Sequence, residues 1–323
     1  MISIARAVEA IRVHLRRLPS ERVGLGDLDA LDRILATDVV AERSVPACDN
    51  SAMDGYAVRA EDTRGASRGS PMRLHVVAAI FADTRPTCGL SAGEAVRIMT
   101  GGAGARGADA VVRQEQTTAL TTRPGDPVVE VHSEVEVGRN VRRTGEDVAQ
   151  GEAVLLAGTR LGPRQIGLLA ALGVEDVAVV QRPRVAILVT GDEVGPVADS
   201  NGPTLVAMAR EAGATAERLG VAPDVAAAIA CRLGEALDRA DVVCTTGGAS
   251  VGERDVVREA FGLLGITEQF WRVAMKPGKP VVFGTLGDKL VFGLPGNPAA
   301  AMIGFEVLVR PSLLEMQGCF WRE

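Results

Sequence analysis

The stretch Thr245-Thr246-Gly247-Gly248-Ala249-Ser250-Val251-Gly252-Glu253-Arg254-Asp255 follows directly on the apolar segment Val242-Val243-Cys244. A buried strand that ends in consecutive glycines, small hydroxyl residues and a carboxylate before a helical run has the form of a strand-loop-helix anion site. Gly247, Gly248 and Gly252 carry no Cβ, so backbone N–H groups can crowd an oxyanion there. The same run also reads as a plain glycine-rich turn. Its spacing fits neither the dinucleotide fingerprint nor the P-loop.

A second stretch favours the anion reading. Arg272 and Lys276 lie four apart, and Lys276-Pro277-Gly278-Lys279-Pro280 follows a β-like run from Phe270 to Met275. The two prolines fix φ on either side of Gly278 and remove backbone donors, so the loop is stiff and its lysines are held. Fixed cations suit a polyanion better than a solvated charged loop does.

Around these stretches the chain alternates strand and helix. Val185 to Val189 is a continuous apolar run, as in a parallel strand buried on both faces, with Thr190-Gly191-Asp192-Glu193 at its carboxyl end. Leu205 to Glu211 reads as a helix stopped by Gly213, Val225 to Leu237 as the next, and Asp255 to Leu264 as a third. Val281 to Leu286 and Lys289 to Leu294, joined by Gly287-Asp288, read as a hairpin, and Pro298 to Met316 as a closing helix. Three strand ends thus carry polar loops, at Glu193, at Gly247-Gly248 and at Gly293-Leu294-Pro295-Gly296-Asn297-Pro298. In open α/β sheets such loops converge on one crevice.

Upstream the character differs. Residues 1 to 45 read as helical, with Asp27 to Ala36 a second amphipathic piece. Short β-rich runs at Arg73 to Phe81, Ala95 to Met99, Ala110 to Gln114 and Val128 to Val135 alternate with Gly, Pro, Ser and Thr clusters, as in a small β insertion. The polar stretch Gly138 to Gly151 returns the chain to the first domain. The expected scheme is a discontinuous N-terminal domain (1–45 plus 139–180), a β-rich insertion (46–138) and an α/β domain (181–323).

Composition bounds the function. The 323 residues are 47% hydrophobic and 24% charged, ample for a core and for two or three domains. A net charge of −6 and only ten aromatic residues argue against a nucleic-acid binder, so any polyanion site is local. Five scattered cysteines without C-x-x-C spacing and three separated histidines show no zinc site or disulfide framework. With no long apolar run and no signal peptide, a cytoplasmic setting without membrane association is expected.

Taken together, these motifs resemble the molybdopterin molybdenumtransferase family, which includes the bacterial enzyme and the gephyrin E domain. Pro46 to Ala57 (PACDNSAMDGYA), Arg97 to Gly101 (RIMTG) and Gly138 to Glu146 are similar to the family's β-domain approach, threonine turn and return linker. Thr190 to Glu193, Asp199-Ser200-Asn201, Thr245 to Asp255, Lys276 to Pro280 and Gly293 to Pro298 follow in the family's order. The chain departs from the family in ending soon after Pro311 to Glu315, where a small C-terminal β domain usually follows. Its loop between Glu193 and Asp199 is shorter, and Ala299 to Ala301 stands where a serine is common.

The resemblance implies a molybdopterin-binding-type α/β domain with an extended N-terminal domain and a β-rich insertion. It implies insertion of molybdenum from molybdate into adenylylated molybdopterin with release of AMP, assisted by Mg²⁺. Position by position, it implies Asp54, Glu193 and Asp255 as catalytic and metal-holding carboxylates. Thr100, Asp224, Gly247, Gly248, Ser250, Arg272, Lys276, Lys279, Pro295 and Asn297 are the implied substrate-binding residues. It further implies a homodimer, with a molybdopterin adenylyltransferase as upstream partner. The rival reading is a molybdopterin-binding scaffold of the same family with weak or no turnover. Locally, Asp54 also reads as a turn residue, Asp255 as a helix N-cap and Asp224 as a helix start.

Overall fold

The computed structural model describes residues 1–26, 28–82, 89–123, 126–192, 199–247 and 256–319. By contact the chain divides into two compact units. One comprises Met1–Asp38, Leu156–Ala170 and Val174–Glu323; the other comprises Val39–Leu155 and Ala171–Gly173.

The larger unit is built on a six-stranded sheet in the order Thr215–Ala222, Arg184–Thr190, Val242–Thr246, Lys289–Leu294, Val282–Leu286, Thr267–Trp271. The first four strands run parallel, Val282–Leu286 pairs antiparallel to Lys289–Leu294, and Thr267–Trp271 pairs antiparallel to Val282–Leu286. Burial on both faces follows from the apolar runs. Val185 and Ile187 pack on one face with Leu205, Ala209, Phe305 and Leu313, while Ala186 and Leu188 pack on the other with Ile229, Leu233, Val257 and Phe261. Successive side chains of a strand point to opposite faces, so a wholly apolar run is stable only where helices cover both.

The helices that follow two neighbouring strands leave in opposite directions. Asn201–Glu211, after Arg184–Thr190, lies on the first face; Val256–Leu263, after Val242–Thr246, lies on the second. Such a reversal opens a crevice at the carboxyl ends of adjacent parallel strands.

Several expectations fail in instructive ways. Among the described residues near the N-terminus, only Ile4–Arg12 is helical. The span after Asp27, expected as an amphipathic helix, consists of turns and isolated bridges, with Ile34 paired to Arg160 and Leu35 to Val179. Leu28 and Asp32 have φ of 59° and 62°, which no right-handed helix accepts. The apolar spacing there buries Ala30, Ile34 and Leu35 through tertiary pairing instead. The β-like run from Phe270 stops early: the strand is Thr267–Trp271 and Arg272 turns out at φ 65°. The closing helix is continuous but widens into a π-helix over Phe305–Val309 just before Pro311, whose ring nitrogen cannot donate. Thr117–Arg123 and Thr215–Ala222 are strands to which the sequence drew no attention.

The smaller unit carries a six-stranded sheet in the order Ala110–Arg113, Gly55–Val58, Glu94–Ile98, Met72–Ile80, Asp126–Val131, Thr117–Arg123. Only the Met72–Ile80 and Glu94–Ile98 pair is parallel. Tyr56 and Val58 face one core, with Val112 and Leu74, and Ala57 faces the other, with Val111 and Ile98. This strand alternation gives a small β fold with a core on each side of the sheet. Among the described residues of the chain, no helix is long and apolar enough to cross a membrane.

Candidate functional site

In the larger unit the crevice is assembled from the ends of three adjacent strands. Thr190, Thr246 and Leu294 are their last residues, and Val189 to Thr246 and Thr246 to Leu294 are paired in register. Gly247 follows Thr246 with φ 100° and passes so close to the first strand that a Cβ there would lie 1.9 Å from the Thr190 carbonyl oxygen. The glycine is therefore required twice, by conformation and by contact. Gly296 lies against it in turn: a Cβ on Gly296 would sit 3.2 Å from the Gly247 Cα.

Side chains lock these turns together. The Thr246 hydroxyl donates to the Pro295 carbonyl at 2.9 Å. The Asn201 amide donates to Thr246 Oγ1 at 2.9 Å and to the Gly296 carbonyl at 2.8 Å. Asn201 and Thr246 are both buried, so these bonds are shielded from water and an unpaired partner would be costly. The Asn297 side chain accepts from Ala300 N at 3.2 Å and caps the helix that begins at Pro298. Asp199 does the same for the helix Asn201–Glu211, accepting from Gly202 N at 2.8 Å, and its other oxygen pairs with Arg218 at 2.8 Å. Two helix amino ends thus start at the crevice, beside Gly247.

Asp224 joins the same edge. Its N–H donates to Asp192 Oδ1 at 3.1 Å, next to the bond from Gly191 N to the Ala222 carbonyl. The hydroxyl of Thr190 is buried and has no hydrogen-bond partner among the described residues. Glu193, Gly248, Ser250 and Asp255 lie outside the described residues.

The basic loop is tied down by its own backbone. Val273 N and Val281 N both donate to the Lys279 carbonyl, Arg272 N to Val281 O and Met275 N to Val273 O, all at 2.9–3.0 Å. The N-terminal segment adds two more, Ile2 N to Arg272 O and Ala274 N to Ile2 O. Gly278 takes φ 108°. Lys276 and Lys279 are exposed and make no ion pair among the described residues. The Arg272 guanidinium stacks 3.7 Å from the centre of the Trp271 ring, with Arg258 4.2 Å from it. Arg272 Nε is buried without a partner. The loop therefore holds cations whose charge is not neutralised within the described residues, the state in which an anion gains most from binding.

In the smaller unit Asp54 and Thr100 meet. Asp54 Oδ1 accepts from Thr100 N at 2.7 Å and from Thr100 Oγ1 at 2.8 Å. These bonds, the backbone one first, hold the Asp54 carboxyl below its usual range. The turn is fixed by Gly101 N donating to Ser51 O and Ser51 N to Gly102 O. Gly55 is obligatory, because a Cβ there would fall 2.0 Å from the Val112 carbonyl oxygen. Nearby, Asp49 accepts from Thr144 N at 2.8 Å and pairs with Arg143 at 2.6 Å, and these contacts depress its pKa. A pocket of about 790 Å³ opens beside this pair, lined by Asp49, Asn50, Ile98, Arg106 and Arg143 among others; Asp54 and Thr100 do not line it.

Among the described residues no group of three His, Cys, Asp or Glu side chains is placed to hold a metal ion. Of the three carboxylates inferred as metal-holding, only Asp54 is described. Asn201 and Thr246 stand within stretches that the sequence analysis quotes, Asp199-Ser200-Asn201 and Thr245 to Asp255, but neither was assigned a role there; their contacts build the crevice.

Residues 2–173 match the family described as "MoeA N-terminal region (domain I and II)", and residues 186–315 match the "Probable molybdopterin binding domain". The molybdopterin molybdenumtransferase of Bacillus subtilis is 40% identical over 292 residues, which cover 88% of this chain and 68% of that protein. That of Haemophilus influenzae is 36% identical over 309 residues, 93% of this chain and 74% of the relative. The crystal structure of a molybdopterin biosynthesis moeA protein from Pyrococcus horikoshii OT3 matches with a TM-score of 0.82 at 31% identity, covering 99% of this chain and 80% of that one. Both units are spanned by these similarities, and the chain belongs to the molybdopterin molybdenumtransferase family.

Proposed function

We propose that the protein inserts molybdenum from molybdate into adenylylated molybdopterin and releases AMP, as a step of molybdenum cofactor biosynthesis. The observation that carries this reading is the crevice at the ends of Arg184–Thr190, Val242–Thr246 and Lys289–Leu294. A glycine turn and two helix amino ends lie there, and the rigid loop that carries Arg272, Lys276 and Lys279 belongs to the same unit of a chain related to named molybdenumtransferases.

In this reading Lys276, Lys279 and Arg272 bind the phosphates and oxyanions, and the Gly247 turn brings backbone close to them. Asp224 and Asn297 shape the edges of the crevice. Asp54, Glu193 and Asp255 supply hard carboxylate oxygens, which suit Mg²⁺; Thr100 takes one Asp54 oxygen and fixes the direction of the group. When bound, Mg²⁺ neutralises charge developing on the cleaved phosphate bond. We further propose a cytoplasmic homodimer that receives its substrate from a molybdopterin adenylyltransferase.

The test is an assay of the purified protein with adenylylated molybdopterin, Mg²⁺ and molybdate, following AMP release. AMP formed in step with loss of the adenylylated substrate supports the proposal. Tight pterin binding without AMP points to the scaffold reading instead.

A further inference from the structure

At the opposite edge of the larger sheet lies a second cavity, of about 580 Å³, whose walls include Arg16, Arg33, Arg182, Arg184, Glu21 and Asp241. It is remote from the crevice. Arg184 begins the strand that Thr190 ends, so the two sites are separated by the length of that strand, roughly 20 Å at about 3.3 Å per residue.

The charges around it do not balance. Asp241 is fully engaged by Arg184, whose backbone N–H donates to Oδ2 at 2.9 Å while its guanidinium donates to Oδ2 at 3.2 Å and Oδ1 at 3.0 Å. Lys289 stands 3.8 Å from the same carboxylate. Glu21 pairs with the buried guanidinium of Arg33, Arg16 pairs with Asp288, and Asp32 is taken by Arg160 at 3.0 Å. Arg182 is left over. Its terminal nitrogens donate to the carbonyls of Gly213 at 3.1 Å and Leu31 at 3.4 Å, and it has no carboxylate partner among the described residues.

A half-buried cation held by neutral dipoles beside another cation is poorly stabilised. Burial, and then repulsion from Arg33, press the Arg182 pKa below the ordinary arginine value. Guanidinium donors in this situation match the oxygens of a phosphate group. The remaining walls, Leu18, Pro19, Gln181 and Thr215, offer apolar contact and hydrogen-bonding groups, and the volume exceeds that of a bare tetrahedral ion.

We propose that this cavity is a second anion site, distinct from the crevice, which binds a phosphate-type oxyanion through Arg182 with Arg16 and Arg33 as flanking cations. Two sources share this chemistry, a phosphomonoester with a small organic body and a free tetrahedral oxyanion.

Calorimetric titration of the full chain, in chloride buffer of matched ionic strength, tests the proposal with inorganic phosphate, ribose 5-phosphate and molybdate as probes. In a Lys276→Ala background, which weakens anion binding at the crevice, saturable binding of at least one probe is expected, weakened about tenfold or more by adding Arg182→Gln and severalfold by adding Arg16→Gln. A preference for ribose 5-phosphate identifies the organic ester as the source; equal binding of the three identifies the free ion. Arg182 also holds two carbonyls, so Arg182→Gln could impair folding. Arg16 is 55% exposed in a surface ion pair, and its variant keeps the fold and decides the matter. The proposal is overturned if no probe binds in that background, or if Arg16→Gln and any folded Arg182→Gln protein bind as the Lys276→Ala parent does.

Discussion

Asp54 and Thr100, 46 residues apart in sequence, are joined by two hydrogen bonds to a single carboxylate oxygen, one from the Thr100 backbone and one from its hydroxyl. The backbone bond survives any substitution of the threonine and the hydroxyl bond does not. Thr100→Val should therefore leave the turn in place, raise the Asp54 pKa by removing one donor to its charged form, and move the acid limb of AMP release to higher pH. Asp54→Ala should lower turnover by about 100-fold or more. An unshifted acid limb in Thr100→Val would remove Asp54 from the chemistry.

Gly247→Ala places a methyl group against the Thr190 carbonyl and forces a side chain into φ 100°. A loss of about 2 kcal/mol or more is expected in chemical denaturation, together with weakened pterin binding, because the crevice and the strand ends move together. Gly262→Ala is the control. That glycine has ordinary φ and open space, so the substitution should be neutral or stabilising.

Lys276→Ala and Asn297→Ala should separate binding from capping. The lysine variant should bind ligand less tightly, with a defect that grows as salt is lowered, since an exposed cation-phosphate contact is screened. The asparagine variant should lose about 1 kcal/mol of stability with its helix cap. A salt-independent Lys276→Ala defect would assign that loop a structural role.

Glu193→Ala and Asp255→Ala should each abolish AMP release more than pterin binding, as expected of carboxylates that hold a metal during chemistry. Chains carrying Asp54→Ala and Asp255→Ala, mixed under conditions that form heterodimers, should regain activity through one intact site if the proposed dimer shares its site. Inactive heterodimers, once heterodimer formation is demonstrated, would overturn the shared site.

Asp241 governs part of the acid stability. Burial alone would raise its pKa, but hydrogen bonds from Arg184, together with the Arg184 and Lys289 charges, outweigh burial and lower it. A depressed carboxylate stabilises the fold above its unfolded pKa, near 3.8, and that contribution disappears as pH falls through the folded value. Asp241→Asn should thus be less stable than the parent by about 1–3 kcal/mol at pH 7, and the gap should close below pH 4. A constant gap from pH 7 to pH 2.5 would rule out this linkage.

The sequence by itself determined the parallel strand at Val185 to Val189, the hairpin about Gly287 and the small β fold. It also determined the order of polar loops that marks the family. Each is a local property: a run buried on both faces, a two-residue turn, an alternation of period two. Only the tertiary structure decided the rest. The apolar residues near Ile34 and Leu35 are buried by bridges to Arg160 and Val179 rather than by a helix, because a pattern of apolar positions states what must be covered and not what covers it. Asn201 reads as an ordinary helix start until Thr246 and Gly296 are brought beside it. Arg182 is one of many surface-type arginines in the sequence and becomes an unmatched cation only when Arg33 is folded against it and every nearby carboxylate is already engaged. Contacts across tens or hundreds of residues have no local spacing to betray them, since they arise from packing rather than from the period of a strand or helix.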